Sequence, residues 1–206
     1  SKKLGVEYYD RDIVEQAFKA LNYNFSQVRR SDESTSATDG LIFFDDIITA
    51  DIVRNTRNIL DLENYRDFKL KSKGKFMYEG DSVQIVSYEC LKPSLSNSGT
   101  AFVTKYSGEI YVELKNYAVI KNVMRITSSA FNLLGRNLIL AGDSSRNEVM
   151  ATITTNYKKV SSYYFLSGVS VVYTYLDGGE RVKGEMQYQT TKVSVNKTTP
   201  IAGRVY

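Results

Sequence analysis

Four lysines at alternate positions are the first group of side chains in this sequence that could bind a ligand. Lys69, Lys71, Lys73 and Lys75 would share one face of a strand, because successive side chains of a strand point to opposite faces. Ammonium groups in such a row would bind an anionic surface. The simpler interpretation, which we favour, is a solvated face, or an edge strand whose charges keep it from pairing with other chains.

A second row of side chains is aromatic. The same alternation places Tyr163, Phe165, Tyr173 and Tyr175 on one face of a long strand. Tyrosine rings bury apolar area and keep a hydroxyl for water or a ligand, which suits a half-open barrel or a surface that stacks on sugars. Ordinary core packing is the simpler interpretation of this row as well.

The chain lacks the residues of the commonest catalytic sites. It contains no histidine, which excludes Ser-His-Asp and Cys-His nucleophiles and histidine-based zinc sites. Its one cysteine, Cys90, shares a strand face with Val86 and Tyr88 and is predicted to be a buried thiol. We therefore predict no catalytic residue, no cofactor and no metal site. A carboxylate pair or a Ser-Lys dyad assembled in space stays open.

Three aspartates, Asp45, Asp46 and Asp51, precede an apolar stretch. We interpret them as caps and solvated charges and not as a metal or acid/base site, because no other ligand type lies near them. Thr49 or Asp51 would begin a short helix. The apolar residues of that helix would be Ile52, Val53, Ile59 and Leu60.

Strand alternation and turn residues recur along most of the chain and predict the fold class. Residues 108–120 show a strand, a turn at Lys115-Asn116 and a return strand. Further hairpins are predicted around Glu79-Gly80-Asp81 and around Asp177-Gly178-Gly179. The prediction is a mainly β (α+β) fold, a curved antiparallel sheet or half-barrel of about eight to ten strands with one or two short helices. It would form a single domain of residues 1–206.

Residues 10–25 fit both helical and strand spacing, and we favour a helix. Residues 29–40 are polar and almost free of apolar side chains, so they are predicted to be a mobile loop. Residues 1–40 would then be an N-terminal arm and loop beside the β-rich body. The residues at helical spacing are Ile13, Val14, Ala17, Phe18 and Leu21.

The charge balance argues against a nucleic-acid partner. The 27 basic and 23 acidic residues give a net charge of +4 and a pI of about 8.9, which is too mild for that class. No apolar run approaches the roughly 18 residues of a membrane-spanning helix, so no transmembrane segment is expected.

Six short segments resemble the body of a family of exported Bacteroidetes proteins, the carboxypeptidase-like regulatory domain-containing proteins. They include Tyr-Ser-Gly-Glu-Ile-Tyr-Val at 106–112 and Tyr-Ala-Val-Ile at 117–120, and the others lie at 51–55, 65–70, 83–88 and 163–166. All are strand and turn signatures, spread over roughly residues 45–195. The resemblance implies export to the periplasm or the outer-membrane surface.

The resemblance does not imply carboxypeptidase activity, because the family name refers to an N-terminal β-domain that is not visible here and the chain has no His-Glu-His zinc ligands. The hairpin at 106–120 is also similar to that of bacterial lipoprotein carriers, whose curved sheet holds acyl chains, an analogy of fold alone. We predict a non-catalytic cell-envelope module that binds a protein or glycan partner. The alternative is a carrier of an apolar ligand, such as a lipid acyl chain, in a half-barrel cavity.

Overall fold

The computed structural model describes residues 13–20, 23–30, 51–53, 57–98, 103–128, 148–177, 179–190 and 193. The chain divides into two compact units. One unit consists of Ser1–Asp39 and Lys192–Tyr206, and the other is Gly40–Thr191. The aspartates Asp45 and Asp46 and most of the predicted mobile loop lie outside the described residues.

The first unit contains an antiparallel hairpin. Strand β1 (Ile13–Ala20) pairs with β2 (Tyr23–Arg30), with Ile13 opposite Arg30 and Ala20 opposite Tyr23. The helix favoured for residues 10–25 is therefore wrong. A short isolated helix is marginal in water, whereas pairing two strands satisfies the backbone groups of both. The spacing of apolar side chains does not show which of the two structures is more stable.

The described residues of the second unit form a seven-stranded antiparallel sheet in which every strand pairs with the next one along the chain. The sheet is curved and unclosed, with β3 and β9 at its edges, which confirms the predicted fold class. In the described residues the only helical pieces are a 3-10 turn, Tyr65–Asp67, and one short helix, Leu95–Ser98. The strands are β3 (Phe68–Tyr78), β4 (Asp81–Cys90), β5 (Val103–Glu113), β6 (Val119–Ser128), β7 (Val149–Val160), β8 (Tyr163–Asp177) and β9 (Glu180–Gln189).

One face of this sheet, here named the core face, carries most of the buried apolar side chains. Register alignment continues across strands, so that Met124 faces Ile153 and Ile153 faces Val171. Ile52 and Ile59, from the segment before β3, pack into the same cluster. The opposite face, named the outer face, carries most of the charged side chains, including Lys71, Glu89, Glu109 and Arg125.

Two glycines on the core face give room to tyrosine rings on the neighbouring strand. Gly108 lies opposite Tyr88, and a Cβ there would be 2.3 Å from the Val123 carbonyl oxygen and 2.5 Å from the Tyr88 hydroxyl oxygen. Gly184 lies opposite Tyr173, and its Cβ would be 2.1 Å from the Tyr173 ring. Each glycine is thus required because the space of its side chain is already occupied.

The segment before β3 does not form the predicted short helix in its described residues, 51–53 and 57–64. Asp51 still acts like a cap, since its Oδ1 accepts a hydrogen bond of 3.0 Å from the Val53 N–H. Its carboxylate also accepts a hydrogen bond from the Tyr157 hydroxyl of β7. This bond fixes the segment to the core face, where Asp51 is only 1% exposed.

Candidate functional site

A β-bulge divides the row of lysines on β3. Lys69 and Lys71 lie opposite Glu89 and Ser87 on the outer face. The pairing then shifts between Ser72 and Gly74, which leaves Lys73 as the extra residue, and Gly74 has a φ of 101°. Lys75 pairs with Gln84. Gln84 lies on the core face, because Ile85, the next residue of β4, shares the outer face with Ser87 and Glu89. The four lysines therefore do not share one face.

A second bulge divides the aromatic row on β8. The pairing passes from Asn156–Gly168 to Tyr157–Leu166, which leaves Ser167 as the extra residue. Tyr173 and Tyr175 lie on the core face with their rings stacked at 6.4 Å, and burial together with the neighbouring Tyr175 raises the pKa of Tyr173 to about 12. The other pair, Tyr163 and Phe165, lies on the opposite face and Tyr163 is 66% exposed.

The lysines that remain on the outer face border an open depression of about 380 Å³. Its rim carries Lys69 and Lys71 from β3 and Arg125 from β6. Its floor is low because the central strands β4 and β5 carry small residues there. The floor carries the side chains of Ser87 and Ser107, and the two acidic residues beside them are Glu89 and Glu109. Tyr88 and Gly108 also line the depression, although their side-chain positions belong to the core face.

The charges of the depression are only partly paired. Lys73 Nζ lies 2.8 Å from Glu109 Oε1, so that lysine neutralises one of the two carboxylates. Lys69, Lys71, Arg125 and Glu89 form no ion pair among the described residues. Three unpaired cations and one unpaired carboxylate therefore face solvent around a floor of hydroxyls.

A second surface lies at the end of the sheet where β4 ends and β3 begins. We name it the loop platform and define it as residues 57–67 and 91–98. The Asn64 side-chain amide donates to the Ser96 carbonyl at 2.9 Å, and the Leu91 N–H donates to the Asp67 carbonyl at 2.9 Å. The two loops are thus fastened to each other through backbone and side-chain hydrogen bonds.

Two buried asparagines hold the platform from inside. Asn97 accepts from the Ser94 N–H at 2.8 Å and donates to Asp67 Oδ2 at 2.9 Å and to the Lys92 carbonyl at 3.1 Å. Asn58 donates to the Ile52 carbonyl at 2.9 Å and accepts from the Leu60 N–H at 2.8 Å. Because these amides satisfy loop backbone groups, the platform is fixed although its only helical pieces are the 3-10 turn Tyr65–Asp67 and the short helix Leu95–Ser98 among the described residues.

The platform exposes an unusual share of large apolar side chains. Five of them are between 43% and 85% exposed, and Leu62 is the most exposed of the five. Exposed apolar side chains that cluster mark interaction surfaces, whereas single ones are ordinary. The five residues are Leu60, Leu62, Tyr65, Leu91 and Leu95.

The residues with reactive groups are placed as follows. Cys90 is a buried free thiol on the core face, and burial raises its pKa. Tyr157 is held against Asp51, and burial together with that carboxylate raises the pKa of its hydroxyl. Among the described residues no three His, Cys, Asp or Glu side chains come together as metal ligands.

Sequence reasoning missed the platform and half of the depression. The asparagines at 58, 64 and 97 are turn formers with a local signal, but their long-range partners are set by the fold. Arg125 is a lone charge in an alternating strand, and nothing in its neighbours shows that it will lie near Lys69. Only the cross-strand row Lys69, Glu89, Ser107 and Arg125 brings them together.

None of the helices in the described part of the chain has the length and apolar character to cross a membrane. Comparison with protein-family models, with curated proteins and with solved structures found no match to this chain.

Proposed function

We propose that this protein is a non-catalytic binding module of the bacterial cell envelope that docks a protein partner through the loop platform. The observation that carries the proposal is the exposure of five large apolar side chains on loops that are fixed by hydrogen bonds. Surfaces of this kind recur where a rigid sheet positions loops for recognition.

A protein partner fits the platform because of its composition. The centre of a protein interface is apolar and rich in aromatic residues, with polar groups at its rim. Leu62 and Leu91 supply apolar area, Tyr65 supplies a ring with a hydroxyl, and Arg66 extends over that ring at 5.6 Å. Docking that uses fixed loops avoids much of the ordering cost, about 0.5–1.5 kcal/mol for each immobilised side chain.

The cell-envelope location is supported by the resemblance to exported Bacteroidetes proteins, carried by the segments at 106–112 and 117–120. Those segments lie in the β5–β6 hairpin, outside the residues of the loop platform. Fractionation of the producing cells, with detection of this chain in periplasm, outer membrane and cytoplasm, tests the location separately from the binding.

The carrier alternative has less support from the described residues. A carrier needs apolar space for an acyl chain, and on the core face Tyr88 and Tyr173 occupy the space beside Gly108 and Gly184. The carrier stays a prediction that native mass spectrometry of the purified protein would test through a co-purifying lipid.

The docking proposal is tested by site-specific photo-cross-linking in the producing cells, followed by binding measurements. A cross-linking residue at Leu62 is expected to capture one protein that the same residue at Met77, 72% exposed on β3, does not capture. With that protein purified, Leu62→Asp is expected to weaken binding at least about tenfold and Met77→Asp to leave it unchanged. Equal capture at both positions, or unchanged affinity of Leu62→Asp, would reject the platform as the docking surface.

A further inference from the structure

We propose that the outer-face depression is a second binding site, for an acidic sugar such as a hexuronate unit of a glycan. It is separate from the loop platform, since none of its lining residues belongs to residues 57–67 or 91–98. Its volume of about 380 Å³ falls in the range of about 300–1,000 Å³ of small-ligand sites.

The cations of the rim account for the negative charge of the ligand. Lys69, Lys71 and Arg125 surround the depression and make no ion pair among the described residues. Folding therefore leaves three positive charges on the rim of one depression without an ion-pair partner among the described residues. A carboxylate placed between them would gain charge-assisted hydrogen bonds, and a guanidinium binds it in two-point fashion.

The serine hydroxyls and the Glu89 carboxylate are the reason to propose a sugar as the ligand and not a bare anion. The floor carries the hydroxyl of Ser107, which can donate and accept, and the hydroxyl of Ser87, which donates to the Lys71 carbonyl at 3.2 Å and can still accept. Glu89 makes no ion pair among the described residues and lies on β4, between the strands that carry the cations. A bare anion gains nothing from Glu89 and is repelled by it. A sugar ring that bears a carboxylate also has hydroxyl donors, and these can use Glu89 as their acceptor.

Lys73 keeps the second carboxylate from opposing the ligand. Its ammonium group holds Glu109 at 2.8 Å. The bulge between Ser72 and Gly74 leaves Lys73 as the extra residue and turns Lys75 to the other face. The ion pair of Lys73 with Glu109 makes the depression more positive than an unpaired Glu109 carboxylate would.

The test is an NMR titration of the full chain with three probes: a galacturonate tetrasaccharide, the neutral galactose tetrasaccharide and inorganic phosphate. The acidic sugar is expected to shift the amide signals of Ser87, Ser107 and Arg125, and the other two probes are expected to leave them in place. Equal shifts with phosphate or with the neutral sugar, or no shift with any probe, would overturn the proposal.

Variants separate an acidic-sugar site from a simple anion site. The double variant Lys69→Gln with Arg125→Gln is expected to lose at least about tenfold in affinity, while Lys183→Gln on β9 keeps it. Glu89→Ala is the decisive variant. An acidic-sugar site loses about threefold or more with the acceptor, whereas a simple anion site binds more tightly once the repelling charge is gone. Tighter binding by Glu89→Ala would overturn the assignment, and two-dimensional spectra show whether each variant is folded.

Discussion

The two faces of the seven-stranded sheet use the same strands in opposite ways. On the core face, positions are fixed by contact: the Tyr88 ring occupies the space beside Gly108, and Tyr173 the space beside Gly184. On the outer face, Lys69, Lys71 and Arg125 stand around a depression without any ion pair in the described residues. The core face is held by close packing, although the Asn122 side-chain nitrogen and the Thr155 hydroxyl have no hydrogen-bond partner in the described part of the chain. The outer face leaves these three cations without an ion pair among the described residues.

This difference indicates where stability and recognition are located. Substitutions on the core face should change the free energy of unfolding and affect binding only through loss of the fold. Substitutions on the outer face should change affinity and leave unfolding almost unaltered, because exposed charges contribute little to stability. The following four substitutions test that division, beginning with the largest expected effect.

Gly108→Ala should be the most damaging small change. The new methyl group would meet the Val123 carbonyl oxygen at 2.3 Å, and that backbone atom cannot move without breaking the β5–β6 pairing. We expect a loss of about 3 kcal/mol in the free energy of unfolding, measured by urea denaturation. Gly168→Ala is the matched control, since its Cβ would lie 3.3 Å from the Tyr188 carbonyl oxygen and needs only a small adjustment. Equal losses for the two variants would contradict the idea that close contact fixes the core face.

Tyr157→Phe should have the next largest effect. It removes the hydroxyl that donates to the Asp51 carboxylate, which is buried and would lose a charge-assisted hydrogen bond. Such bonds contribute about 1.5–3 kcal/mol, so we expect a loss of about 2 kcal/mol by the same measurement. The control is Tyr65→Phe, whose hydroxyl accepts from the exposed Arg66 side chain at 3.1 Å. A loss no larger than that of the control would show that the Asp51 segment is held by packing alone.

More of the fold than of the candidate sites could be predicted from the sequence, because hairpins depend on residues close in sequence and the sites on residues far apart in sequence. Hairpins are local, so the turns at Glu79-Gly80 and Lys115-Asn116 and the strands beside them follow from short sequence patterns. The apolar residues of 10–25 fit both periods and favour a helix, but the described residues of this stretch lie in the β1–β2 hairpin. In that region the pairing of the two strands determines the secondary structure, and the spacing of apolar residues in the sequence does not show which segments pair.

The expectation that each predicted row shares one face is wrong for the same physical reason in both strands. The lysine row on β3 and the aromatic row on β8 each assume unbroken alternation, and in each a single extra residue, Lys73 or Ser167, reverses the faces beyond it. Gly74, with its φ of 101°, is a local signal for the first bulge. Ser167 offers no comparable signal, so only the structure separates Tyr163 from Tyr173.

Glu113 is a buried carboxylate that is held by hydrogen bonds, so its ionisation should make the free energy of unfolding depend on pH. Burial opposes its ionisation, but hydrogen bonds from the N–H groups of Lys115 and Asn116, the Asn116 side chain and the Tyr164 hydroxyl outweigh it and lower its pKa below 4.5. A lowered pKa stabilises the fold above the ordinary glutamate value, and this stabilisation is lost as the pH falls through the value in the folded protein.

Glu113→Gln is therefore expected to be less stable than the unmodified protein at pH 7. The difference should begin to shrink as the pH falls below the ordinary glutamate pKa of about 4.3 and should disappear below the lowered pKa of the folded protein. Urea denaturation at a series of pH values measures the difference, and Glu148→Gln, exposed just before β7, serves as the control. A difference that is constant with pH would mean that the turn depends on the shape of the side chain and not on its charge.

Lys73→Gln should have the smallest effect on stability and a clear effect on binding. Its ion pair with Glu109 is partly exposed, with 48% of the lysine side chain accessible, and pairs of this kind contribute about 0–1 kcal/mol. The freed Glu109 carboxylate would then face the depression and repel an anionic ligand. We expect affinity for the galacturonate probe to fall about threefold, with unfolding nearly unchanged. Lys183→Gln breaks the comparable pair with Glu185 away from the depression and should alter neither quantity. If Lys73→Gln lowered stability by more than about 1 kcal/mol, the outer face would also be held by its contacts, and the division between the two faces would fail.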